Sequence, residues 1–261
     1  MKTTNIVLSG ACGKMGRVIA ELVEQRADCQ IIAGIDICES TPPEGFSVVS
    51  KLSELSGLSS NFGKPEVIID FSHPSALTDL LTYCKTKNIP LVAATTGYNN
   101  DEISQIKNAA AQIPVFFSGN MSLGINLLQD LAKRAVRVLG EQFDIEIIEK
   151  HHNLKKDAPS GTALMLADSI NSEFVRKKQY VYDRHTALKS RKSSEIGIHA
   201  IRGGTIVGEH EVIFAGHDEV ISLSHSALSK EVFAVGAINA AIFLKNKPKG
   251  LYDMSDLLSS I

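Results

Sequence analysis

The residues best suited to chemistry lie in one run, Glu149-Lys150-His151-His152-Asn153-Leu154-Lys155-Lys156-Asp157-Ala158-Pro159-Ser160-Gly161-Thr162-Ala163. His151 and His152 stand four and three residues before Lys155, and a turn and a helix start follow. Proton donors, fixed positive charge and unpaired backbone N–H groups therefore fall between His151 and Thr162, an arrangement suited to a small anionic substrate. Adjacent side chains on a strand point to opposite faces, so His151 and His152 are expected to do different jobs. One faces the cleft as an acid, while the other braces the loop or meets substrate. Lys155 holds a carboxylate or shares in proton transfer, and Lys156 faces solvent. Asp157 or Ser160 caps the next helix. The N–H groups of Gly161 and Thr162 are then available to an anion. The competing reading is a polar turn followed by a solvated lysine pair.

A second motif, Gly10-Ala11-Cys12-Gly13-Lys14-Met15-Gly16, follows an apolar run and opens an amphipathic one. Gly10 suits a tight turn, Gly13 a close approach of backbone to pyrophosphate, and Gly16 close helix–strand packing. The spacing GxxGxxG differs from the commoner GxGxxG, so the signal depends on its setting. Asp36 ends the next strand, where an acid hydrogen-bonds the ribose hydroxyls of a dinucleotide and repels a 2′-phosphate. Ile37 and Cys38 offer no compensating guanidinium, so NADH is expected over NADPH. Ala94-Thr95-Thr96-Gly97 and Ser118-Gly119-Asn120-Met121 follow later strands. Thr95 and Thr96 either offer hydroxyls and N–H groups to the nicotinamide half or simply form a turn. His73 reads as a solvated loop residue.

These groups need a scaffold, and the patterning supplies one. Asn5–Ser9, Gln30–Ile35, Val67–Phe71, Leu91–Ala94 and Pro114–Phe117 read as strands. Lys14–Gln25 and Asp101–Ala111 read as helices between them, with a further helix starting near Pro74. That alternation predicts a Rossmann-type, doubly wound parallel sheet. From Ser122 the rhythm changes. A long helix to Leu139 should turn Leu127, Leu128, Leu131 and Val138 inward. Strands follow at 143–149, 196–201, 205–214 and 220–225, with a helix at 160–176. The second domain is thus α+β with an antiparallel or mixed sheet. Helix returns at 230–244 and near Ser255. The expected division is 1–121 with 230–261 as the dinucleotide-binding domain, and 122–229 as the substrate and oligomerisation domain.

The chain has 261 residues, 44% of them hydrophobic and 21% charged, which is ordinary for a globular protein. A formal net charge of −2 gives no global case for nucleic acid or an anionic membrane. The apolar run at Ile6–Leu8 is too short for a signal peptide or membrane span, so a cytoplasmic protein is expected. The four cysteines include no CxxC pair and read as reduced thiols, and no cluster points to a metal. No G-x-S-x-G elbow supports a serine hydrolase.

With these motifs in place, the chain resembles the dihydrodipicolinate reductase family over nearly its whole length. The similarity is carried by Gly10–Gly16, Ile69–Pro74, Thr95–Gly97, Asn120–Gly124, Glu146–Ala163 and Gly203–His210. The resemblance implies NAD(P)H-dependent reduction of 4-hydroxy-tetrahydrodipicolinate in the diaminopimelate route to lysine. It implies His151 as proton donor or acceptor and Lys155 as a second donor. Substrate contacts fall to His152, Ser160, Gly161 and Thr162. Cofactor contacts fall to Gly10, Ala11, Cys12, Gly13, Lys14, Met15, Gly16, Asp36, Ala94, Thr95, Thr96, Ser118, Gly119, Asn120 and Met121. It also implies a homotetramer built through the second domain's sheet, and domain closure that joins donor to acceptor. The family often has Gly at position 94, Ala-Ala at 118–119 and Arg at 73. The His at 73 again leans toward NADH. Two alternatives stay open: another two-domain nicotinamide dehydrogenase, and a dinucleotide sensor without turnover. The second lacks any basic or winged-helix segment for a partner.

Overall fold

The computed structural model describes residues 3–37, 41–57, 63–185 and 188–260. The chain divides into two compact units, 1–121 with 231–261 and 122–230.

In the first unit, strands β1 (Thr4–Ser9), β2 (Cys29–Ile35), β3 (Val48–Val49), β4 (Val67–Asp70), β5 (Leu91–Ala93), β6 (Pro114–Phe117) and β12 (Gly250–Tyr252) form one sheet. Its order is β12-β6-β5-β4-β1-β2-β3, and every pairing is parallel. Parallel strands need both faces covered, which explains why β1, β4 and β5 are continuous apolar runs. Ile6, Val7, Leu8, Val67, Ile68, Ile69, Leu91 and Val92 have no exposed surface. Helix α1 (Lys14–Glu24) buries Gly16, Ile19 and Val23. Helices α2 (Leu77–Lys87) and α3 (Asn100–Ala109) follow β4 and β5, and α3 begins with a full capping box at Asn99 and Glu102. The chain order reverses between β1 and β4. That is where ligands of open α/β sheets bind, beyond the carboxyl ends of the strands.

The second unit opens with α4 (Leu123–Leu139), capped by the Ser122 hydroxyl on the Ile125 N–H. Its sheet contains β7 (Asp144–His151), β8 (Gln179–Val181), β9 (Glu195–Arg202), β10 (Gly208–Ala215) and β11 (Val220–Ala227). The order is β11-β10-β7-β9-β8, with β7, β9 and β8 parallel and β10 and β11 antiparallel. Helix α5 (Gly161–Ser172) makes the crossover from β7 to the edge strand β8, and its residues Ala163, Leu166, Ala167 and Ile170 are fully buried in a core with Ile145, Ile147, Ile196, Val212 and Phe214. After β11 the chain re-enters the first unit as α6 (Glu231–Leu244), which packs on α1 and across β4, β5 and β6. A short helix, α7 (Met254–Leu258), ends it.

The expected inward face of α4 is corrected. Leu128 is buried, but Leu127, Leu131 and Val138 are 49%, 41% and 77% exposed. The core stripe is Ile125, Leu128, Ala132 and Val136, a regular i, i+3, i+7, i+11 series. The other apolar residues lie on a neighbouring face. The helix expected to reach residue 176 stops at Ser172. Cys29 and Cys84 are free and buried, whereas Cys12 is disulfide-bonded, contrary to the expectation of reduced thiols throughout. Cys12 sits in a half-exposed turn, without the packing that shields the other two. Cys38 lies outside the described residues.

Candidate active site

The glycine turn follows β1. Gly10 has φ +81°, and a Cβ there would stand 2.4 Å from the Phe71 carbonyl oxygen. A Cβ on Gly16 would meet the Gly10 carbonyl oxygen at 2.2 Å. Both positions therefore exclude side chains, one through conformation and contact, the other through contact alone. Gly13 is the exposed N-cap of α1, and no side chain caps that end. A backbone-only helix terminus of this kind suits a pyrophosphate. Ala11 is buried behind it, and Lys14 is exposed. Asp36 turns back on the same loop, its Oδ2 accepting from the Cys12 N–H at 2.8 Å and its Oδ1 from the Ile37 N–H at 2.7 Å. Its position at the end of β2 beside the glycine turn fits ribose recognition.

Beyond the ends of β4 and β5 lies a group that sequence patterning did not single out. Asp70 is 1% exposed and carries three hydroxyls. Ser72 Oγ donates to its Oδ1 at 2.6 Å; Thr95 Oγ1 and Tyr98 Oη donate to Oδ2 at 2.7 and 3.1 Å. Burial and the adjacent Asp70 push the Tyr98 phenol well above its ordinary range. Asp70 thus ties together the two loops expected to meet the nicotinamide half. The Thr95 hydroxyl is committed to it, so only Thr96, exposed on the next residue, keeps the hydroxyl role open to both. The Ser118 hydroxyl donates to the Asn120 carbonyl, Gly119 is exposed and Met121 is buried. His73 caps the short helical turn at Pro74–Ala76 by accepting from the Ser75 N–H at 3.2 Å.

In the second unit, alternation along β7 sends Glu149 and His151 to the same face, toward the helices, and Lys150 to the other. Lys150 pairs with Glu209 across β10 at 2.8 Å. Glu149 is fully buried, yet its carboxylate is saturated. Arg202 donates to both oxygens at 2.7 Å, the Ser160 N–H to Oε1 at 3.0 Å, and His151 Nδ1 lies 2.6 Å from Oε2. Against the desolvation that raises it, these donors hold the Glu149 carboxyl below its ordinary value. The bond to the Ser160 N–H also links the end of β7 to the start of α5.

Ser160, rather than Asp157, caps α5. Its Oγ accepts from the Ala163 N–H and lies 3.1 Å from His210 Nε2. A cis peptide precedes Pro159. His210, on β10, packs against the His151 ring in a T-shaped contact with centroids 5.2 Å apart. Burial, with smaller contributions in the same direction from His151, His225 and Lys155, lowers the His210 pKa to about 4. His152 is on the opposite side of the chain from His151, with Nδ1 buried and without a hydrogen-bond partner among the described residues. The Lys155 N–H bonds the His152 carbonyl, closing a turn, and its ammonium pairs with Asp157 at 2.9 Å. Asp157 is 58% exposed, so the pair is weak and an incoming carboxylate can compete for Lys155. Lys156 is exposed. Gly161 begins α5 with open space where a Cβ would be.

The structure therefore gathers His151, His152, Lys155, Ser160, Gly161 and Thr162 around the β7–α5 turn. It adds Glu149, Arg202 and His210, to which no role had been given. Among the described residues, no cluster of His, Cys, Asp and Glu could hold a metal, and no helix is long and apolar enough to cross a membrane.

Comparison with known proteins agrees in both halves of the chain. Residues 4–121 match the family model described as dihydrodipicolinate reductase, N-terminus, and residues 124–258 match its C-terminus counterpart. The 4-hydroxy-tetrahydrodipicolinate reductase of Caldanaerobacter subterraneus subsp. tengcongensis is 51% identical over 253 residues, covering 97% of each chain. The enzyme of the same name from Clostridium tetani is 48% identical over 98% of this chain and 97% of its own. A dipicolinate-bound dihydrodipicolinate reductase from Paenisporosarcina sp. TG-14 shares the fold with a TM-score of 0.79, at 23% identity, over 97% of this chain and 98% of that one. A myo-inositol dehydrogenase from Corynebacterium glutamicum shares it more loosely, with a TM-score of 0.57 at 15% identity, over 99% and 93%. The uncapped glycine turn on one unit and the His-Lys turn on the other thus occur in a chain that belongs to the dihydrodipicolinate reductase family.

Proposed function

We propose that this enzyme reduces 4-hydroxy-tetrahydrodipicolinate, a cyclic imine dicarboxylate, to tetrahydrodipicolinate with a nicotinamide dinucleotide, a step of diaminopimelate and lysine synthesis. The observation that carries the reading is the β7–α5 turn. There a buried, carboxylate-braced His151 stands with Lys155 and a helix N-terminus that suits carboxylates.

The dinucleotide would be held by the α1 N-terminus, Gly10 to Gly16, Asp36, Ala94 to Thr96 and Ser118 to Met121. When bound, it supplies a hydride at nicotinamide C4. The chain's own groups do the rest. His152, Lys155, Ser160, Gly161 and Thr162 bind and orient the ring dicarboxylate. His151, or Lys155, supplies the proton that balances reduction and loss of the 4-hydroxyl as water. Asp36 beside the glycine turn and His73 in place of a guanidinium favour NADH over NADPH. Assembly is proposed to be a homotetramer through the second unit's sheet, in the cytoplasm.

The test is NADH or NADPH oxidation on adding the product of the preceding synthase step, for wild type, His151→Ala and Lys155→Ala. Removing a general acid should lower kcat by roughly 100- to 10,000-fold. Near wild-type kcat in both single variants would defeat the assigned roles. Absence of oxidation by the wild-type enzyme would defeat the reaction itself.

A further inference from the structure

The fully buried Glu149 is not among the groups that would touch substrate, yet its surroundings are built with more care than those of any group that would. We propose that Glu149, clamped by Arg202, is a positioning residue that fixes the tautomer of His151 and makes Nε2 the atom through which the proton passes. This rests on the reading of His151 as a proton-transfer group.

An ionised carboxylate only accepts hydrogen bonds. Glu149 has no exposed surface, so its charge survives only if paired. Arg202 provides a bidentate fork at 2.7 Å to each oxygen, the geometry in which guanidinium and carboxylate bind best. The Ser160 N–H adds a third bond. The fourth, at 2.6 Å, involves His151 Nδ1, and facing an acceptor-only group that nitrogen must carry the hydrogen. Neutral His151 is therefore bare at Nε2, and the imidazolium carries its second, transferable proton there.

The neighbours are consistent with that assignment. A Cβ at position 208 would stand 3.1 Å from His151 Nε2, so Gly208 keeps one side of that atom clear. His210, in T-shaped contact with the ring, stays neutral at ordinary pH because burial lowers its pKa. It adds no competing positive charge. Register explains how the clamp forms: Arg202 is paired with His151 across β7 and β9, and reaches two residues back along β7 to Glu149. The adjoining turn adds three charged groups: Lys155 and Asp157 pair with each other, and Lys156 is exposed.

The experiment is 15N-resolved NMR of the histidine imidazoles in the full-length protein, with kcat and KM, for wild type, Glu149→Gln and Glu149→Asp. In wild type, neutral His151 should show the Nδ1–H tautomer. Glu149→Gln should lose that single tautomer and lower kcat about 100-fold, within the range for a misplaced general acid, while KM stays within about threefold. Glu149→Asp should recover part of the kcat loss. A merely structural role would leave the tautomer unchanged. An Nε2–H tautomer in wild type, or a folded Glu149→Gln variant with kcat within threefold, overturns the proposal. Should the Gln variant not fold, the wild-type spectrum alone decides. The spectrum needs no turnover, so a failure of the reaction assay, or a His151→Ala variant with full kcat, sinks the functional reading without touching the tautomer measurement.

Discussion

Acidification should weaken the second unit through His210, and the size of the effect follows from its setting. His210 is 4% exposed, and burial lowers its pKa from an ordinary 6.5 to about 4. The unfolded chain therefore takes up a proton first. Stability is intact above about pH 7, falls as pH drops below about 6.5, and levels off below about 4. Each unit of separation is about 1.4 kcal/mol, so the full effect of the 6.5-to-4 shift is about 3.5 kcal/mol, and about 2 kcal/mol is already lost at pH 5. His225, lowered by burial as well, acts with the same sign. Glu149 also has a lowered pKa, but from 4.5, so its loss is felt at still lower pH and does not confuse a comparison at pH 7.5 and 5.0. The assay is urea unfolding followed by circular dichroism at those two values, for wild type and His210→Gln. Glutamine can still bond the Ser160 hydroxyl but does not titrate. Wild type should lose about 2 kcal/mol more than the variant between the two pH values. Equal losses in both would show that His210 is not the buried neutral group described, and the reasoning would fail.

Gly16→Ala should destabilise the first unit by about 1–3 kcal/mol, because its Cβ would stand 2.2 Å and 2.6 Å from two carbonyl oxygens of the glycine turn; thermal unfolding and the dinucleotide Kd both read this, and an unchanged Tm would refute it. Under the proposed preference, kcat/KM for NADH should exceed that for NADPH, and Asp36→Ala should narrow the ratio by relieving repulsion of a 2′-phosphate. A tenfold advantage for NADPH in the wild-type enzyme would reverse the argument from Asp36.

Much of the fold was legible because its signals are local. The apolar runs at β1, β4 and β5 and the glycine turn between β1 and α1 need no distant partner to be recognised. Strands β3, β8 and β12, with two or three residues each, are too short to show a period. The apolar residues of α4 cover more than one face, and only the packed sheet selects Ile125, Leu128, Ala132 and Val136. The site divides in the same way. His151, Lys155 and the Ser160 cap sit in one run, so their types and spacing were informative. Arg202 lies 53 residues from Glu149, and Thr95 lies 25 from Asp70. Strand register brings each pair together, and no spacing in the chain announces it. Asp70 also sits in the strand run Val67–Asp70, where its carboxylate reads as a strand end until its three hydroxyl partners are seen.

The return of the chain after β11 has a consequence for biosynthesis. Helix α6 is buried on nearly every side, and a Cβ on its Gly236 would stand 1.7 Å from the Met121 carbonyl oxygen. The nucleotide-binding sheet therefore lacks one apolar cover until residues 231–244 leave the ribosome. With residues 122–230 translated in between, at roughly 5–20 residues per second, that floor is bare for on the order of 5–20 s. A nascent chain stalled within the inserted unit would thus expose the face of β4, β5 and β6 that α6 later seals, and holdase chaperones should find it there.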